Sequence, residues 1–127
     1  MKIEAHERKI ARFEKTIAKL DLEDDSETII EDYMLTAAHF LNAAMHKMGN
    51  LPADRDIKHN ALFGYIKKEN IFKQQSQEIA ELISQIEQLR PSYVYGRGED
   101  PKAARTAKEA FGNIKRICKS ILSENEN

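Results

Sequence analysis

Apolar residues recur at alternating steps of three and four along four stretches of the chain. The first runs through Ile3, His6, Ile10, Phe13, Ile17 and Leu20. The second runs through Ile30, Met34, Ala37, Leu41, Ala44 and Met48. The third is Phe72, Gln75, Ile79, Leu82, Ile86 and Leu89, and the fourth Ala104, Ala107, Phe111, Ile114, Cys118 and Ile121. This spacing keeps each seam on one side of a helix. Ile29, Phe40, Ile71, Ile83, Ile117 and Leu122 sit beside the seams and widen each stripe, which suits a globular bundle better than a lone coiled coil. No stretch alternates with period two, so strands are not expected. The pattern predicts an all-α fold, an antiparallel four-helix bundle forming one domain over 1–127 with a frayed tail over 123–127.

The breaks between seams agree. Asp24, Asp25 and Ser26 offer N-caps before the second helix, and Gly49-Asn50 followed by Pro52 closes it. Arg90-Pro91 is expected to end the third long helix, because the residue before a proline resists helical geometry. Asp100-Pro101 opens the last helix as N-cap and first helical residue. The connection after Gly49 is long, and Ala61–Ile66 is apolar enough to form a short extra helix or turn within 52–66.

The second helix departs from the usual surface pattern. Tyr33–His46 has no Asp, Glu, Lys or Arg in a chain that is 32% charged. Leu35, His39, Asn42 and His46 lie opposite its seam, where Lys and Glu would normally face water. That second face is therefore expected to be covered by another segment or a second subunit, or to line a site. A further histidine, His59, follows Asp56 in the next loop.

Composition narrows the chemistry. The single cysteine, Cys118, excludes an internal disulfide and any cysteine-based zinc site, and its place on a seam makes it a core residue. His6 also lies on a seam and reads as a core-edge residue. Apolar runs fall short of the roughly 20 residues of a membrane span. The charged first residues do not form a signal peptide, so a soluble cytoplasmic protein is expected. The net charge of −1 argues against nucleic-acid binding by charge alone. Charge is nevertheless uneven: Asp21–Asp32 carries seven acids and no base, and Arg97–Lys119 seven bases against three acids.

Two constellations merit a chemical reading. His39 and His46 are two helical turns apart, about 10.5 Å along the axis, too far to ligate one metal ion directly. No Glu-x-x-His pair supports a di-iron centre. His59, with His39 or His46 beside it, instead suits proton transfer near neutral pH, and Asn42 and His46 are expected to contact a ligand. Arg90, Tyr93, Tyr95 and Arg97 precede a helix N-terminus and can hold an anion or stack on bases. No metal ligand set and no cofactor is assigned.

The Ala- and His-rich stretch Ala37–His46, the loop around His59 and the run Arg90-Pro91-Ser92-Tyr93-Val94-Tyr95-Gly96 together resemble the HEPN superfamily of small prokaryotic α-helical domains. The resemblance implies a homodimer. It also implies RNA or nucleotide as ligand and, in many members, metal-independent ribonuclease activity beside a nucleotidyltransferase partner. The family motif is an arginine followed, after four to six residues, by a histidine. Here Arg90 is followed by Tyr95 in that place, and Arg55 and His59 are separated by only three residues. The implied function is thus RNA or nucleotide binding, non-catalytic or weakly ribonucleolytic, with His59 and then His39 as base and Arg90 at the phosphate. Two other readings stand beside it. One is a structural dimeric adaptor using the uncharged face Leu35–His46. The other is a metal-dependent enzyme using His59, a histidine of the second helix and an acid such as Asp56.

Overall fold

In a computed structural model, residues 1–93 and 99–124 are described, the side chains of Ser92 and Tyr93 excepted. They form five α-helices: α1 (Ile3–Ile17), α2 (Ser26–Met48), α3 (Leu62–Glu69), α4 (Ser76–Tyr93) and α5 (Pro101–Ser123). No strand occurs among the described residues, and no helix is long and apolar enough to cross a membrane. The expected fray over 123–127 falls outside the described residues from 125 onward.

The apolar seams explain the packing. Ile30, Met34, Ala37, Leu41 and Ala44 are wholly buried on α2, which packs on α1, α4 and α5. Its most extensive neighbour is α5, whose Ala104, Ala107, Ile114 and Cys118 are also wholly buried. Alanines on both helices let the backbones approach closely. Tyr33 and Phe111 fill the space beside them with ring centroids 4.7 Å apart. Burial pushes the Cys118 thiol far up, so this cysteine is an inert core residue. Helix α1 packs chiefly on α2, and Glu14 reaches across to pair with Lys115 of α5. The seam of α2 ends before Met48, which is exposed in the last turn beside Gly49.

Helix ends follow the expected chemistry in part. Gly49 takes φ +81° and stops α2. Asp100 caps α5 by accepting from the Lys102 and Ala103 amides, with Pro101 in the first turn. At α2, however, no local side chain caps the first turn. Glu99, far along the chain, accepts from the Ser26 hydroxyl at 2.6 Å and from the Glu27 amide at 3.2 Å. A carboxylate there suits the positive end of the helix dipole, and the Ser26 bond holds the Glu99 carboxyl below the usual range.

Three boundaries differ from the sequence reading. The third long helix, α4, does not stop at Arg90: it continues through Pro91 to Tyr93. Proline there forfeits one hydrogen bond in the last turn only, and the Arg90 side chain pairs with Glu31 and Glu87. Helix α4 also begins at Ser76, so Gln75 lies in a 3-10 turn and points to solvent. The short helix in the long connection exists, but as α3 it extends to Glu69 and packs on α4.

Candidate functional site

The uncharged face of α2 is covered from within the chain. Helix α1 lays His6 between the two α2 histidines, with ring centroids 5.1 Å from His39 and 5.4 Å from His46. The segment after α2 covers the rest. Asn42, 3% exposed, donates to the Ile57 carbonyl at 2.9 Å and accepts from the Ile57 amide at 2.8 Å. One side-chain amide thus satisfies both buried backbone groups of a loop residue. Leu51 and Ile57 bury their side chains on either side of Asp56. Asn42 thus anchors the loop, and α1 and this loop lie against His39, Asn42 and His46 of that face.

Around Asp56 a polar group closes. Asp56 Oδ1 is 2.9 Å from His6 Nε2 and 2.9 Å from His46 Nε2. Asp56 Oδ2 accepts from the Met1 amine at 3.1 Å. The outer nitrogens of both rings are also engaged: His6 Nδ1 lies 2.9 Å from His39 Nδ1, and His46 Nδ1 lies 2.9 Å from the Leu51 carbonyl. Burial lowers the pKa of His6, against the opposing pull of Asp56. Burial, then the neighbouring charges of His6 and Lys9, lowers His39 to about 4. Burial alone would raise Asp56, but hydrogen bonds from His46, His6 and the Met1 amine hold it below its ordinary value.

His59 belongs to a different group. Its Nδ1 lies 3.3 Å from Glu87 Oε2 on α4, and it has no ring or hydrogen-bond contact with His39 or His46. Glu87 Oε1 accepts from Arg90 Nη1 at 3.1 Å. Arg90 turns its Nε and Nη2 onto Glu31 of α2, at 2.7 and 2.9 Å, in a two-pronged pair. The structure thus joins His59 and Arg90, 31 positions apart in the chain, through Glu87. His59, Glu87 and Glu31 are each 29% exposed, and Arg90 is 12% exposed. A carboxylate on Nδ1 fixes the imidazole and leaves Nε2 for proton transfer.

Of the other residues expected to contact a ligand, Tyr95 and Arg97 lie outside the described residues, as does the side chain of Tyr93. Sequence reasoning did not single out Glu87 and Glu31, and it placed His6 at the core edge rather than in a polar group. No protein-family model, curated protein or solved structure matches this chain.

Proposed function

We propose that this chain is a HEPN-like helical module that binds RNA or a nucleotide and is non-catalytic or weakly ribonucleolytic. This reading carries with it an antiparallel bundle of α1, α2, α4 and α5, a homodimer and a nucleotidyltransferase partner. The observation that supports it most is the line His59–Glu87–Arg90, in which one carboxylate links a partly exposed, oriented imidazole to a guanidinium. His59 Nε2 takes the proton of a ribose 2′-OH as that oxygen attacks the phosphorus to form a 2′,3′-cyclic phosphate, and the leaving 5′-oxygen takes its proton from solvent water. Arg90 faces the phosphate and stabilises its growing charge. Glu31 and Glu87 already neutralise much of that guanidinium. Phosphate affinity is therefore weak and turnover slow, as the altered arginine motif also implies.

The test is a binding and cleavage assay on single-stranded RNA with chelated protein. RNA binds in a salt-dependent manner. Any cleavage survives chelator and falls by about 10²-fold or more in His59→Ala. Glu31→Gln removes one of the charges competing for Arg90 and tightens RNA binding several-fold. RNA binding that is absent, or that is unchanged in Arg90→Ala and Glu31→Gln, contradicts the reading.

A further inference from the structure

His46 has a hydrogen-bonding problem that either an added proton, on the ring or on Asp56, or a cation solves. Its Nδ1 faces the Leu51 carbonyl at 2.9 Å, and a carbonyl oxygen only accepts. Nδ1 therefore carries the N–H. In the neutral ring Nε2 is then a bare lone pair, and it points at Asp56 Oδ1, also an acceptor, 2.9 Å away. His6 Nε2 converges on the same oxygen. A cation at this point satisfies all three donors at once.

We propose that His6 Nε2, His46 Nε2 and an Asp56 oxygen bind one divalent late first-row transition metal ion, of which Zn²⁺ is the test case. Three further observations support the assignment. The three ligand atoms lie within 4.8 Å of one another, the only such group among the described residues. Tetrahedral donors about 2.0–2.2 Å from a shared zinc ion stand roughly 3.3–3.6 Å apart, so the present 2.9 Å contacts open by about half an ångström on binding. Second, both imidazoles have the outer partner that metal-bound histidines need. The Leu51 carbonyl takes the His46 Nδ1–H, and with the His6 proton on Nδ1, which leaves Nε2 free to ligate, His39 Nδ1 is its acceptor at 2.9 Å. Third, the access is asymmetric. The His6 and His46 side chains are each 2% exposed, whereas Asp56 is 33% exposed. The protein supplies three ligands from the buried side, and the next coordination position faces water on the Asp56 side. Imidazole with carboxylate suits Zn²⁺, Fe²⁺ or Co²⁺ better than Ca²⁺ or Mg²⁺, which favour all-oxygen cages. The ion ties α1, α2 and the 50–57 loop together. It is independent of the His59–Glu87 group and takes no part in the RNA chemistry proposed above.

The test uses the full chain stripped with chelator and titrated with Zn²⁺ alone, read by calorimetry, and with Co²⁺ alone, read by visible absorption. One ion binds per chain, and bound Co²⁺ gives the absorption bands of a low-symmetry nitrogen–oxygen site. Asp56→Asn, at an exposed position that leaves the core intact, weakens binding at least 100-fold. His39→Gln alters only the outer partner of His6 and weakens it about 10-fold. His59→Ala binds zinc as the unaltered chain does. Binding that is absent, exceeds one ion per chain without saturating, or is equal in Asp56→Asn overturns the proposal.

Discussion

Replacing Asn42 with alanine lowers the unfolding free energy by about 3 kcal/mol, a large share of the stability of a domain this size. The reason lies in two backbone groups. The Ile57 amide and carbonyl both find their partner in the Asn42 side chain, in a buried setting. Alanine leaves a donor and an acceptor without partners, and each such loss costs about 1–3 kcal/mol. The Asn42 amide also donates to the Ala38 carbonyl, but that group keeps its place in the helix. Asn42→Asp is little better, because it sets a second acceptor against the Ile57 carbonyl and buries a charge. Urea unfolding monitored by circular dichroism measures the effect as a lower midpoint at unchanged slope. A loss below about 1 kcal/mol would mean that Leu51 and Ile57 hold the loop by apolar burial alone.

In chelated protein, stability falls as the pH drops from about 6.5 towards 4. His39 titrates near 4 in the folded chain and near its ordinary 6.5 when unfolded, and His6 is shifted in the same direction. Between those values the unfolded chain holds more protons than the folded one, so stability rises with pH across the window and is lost on acidification. Below about 4 the His39 contribution stops changing. Asp56 adds a second loss at lower pH. Its folded carboxyl lies below the ordinary 3.8, so its stabilisation is present above that value and disappears as pH falls through the folded one. With solvent screening allowed for at this partly exposed ring, the His39 loss between pH 7 and pH 4 is about 2 kcal/mol. Melting temperatures at pH 7, 5.5 and 4.5 report it, and His39→Gln flattens the profile over that range. Equal melting at all three values, or the same slope in His39→Gln, would contradict the assignment of a buried neutral ring.

The helices were legible because their signal is local. Steps of three and four along Ile30–Ala44 and Ala104–Ile121 survive as buried stripes. Gly49 and Asp100 act through their own neighbours in sequence. The uncharged face of α2 was legible as a covered surface, and α1 with the 50–57 loop covers it. What covers it was not legible, since His6 reads as one more seam residue until α1 is laid against His39 and His46. A histidine on the seam of one helix, beside histidines off the seam of another, was the available clue. Glu87 was hidden for a related reason. On α4 it looks like any solvated acid, and only tertiary packing sets it between His59 and Arg90. Arg90-Pro91 misled because a proline so near the end of a helix costs it only one hydrogen bond, and α4 runs on through it to Tyr93.

The four histidines of this chain serve as four separate reporters. The most direct measurement is long-range proton–nitrogen NMR of the imidazole rings of chelated protein, before and after addition of a short single-stranded RNA. The account predicts that His59 shows the largest shift and that His6, His39 and His46 hold their positions and tautomers. RNA that leaves His59 unmoved, or that shifts the His6–His39–His46 rings instead, would contradict the claim that the His59–Glu87–Arg90 line is where this protein meets its ligand.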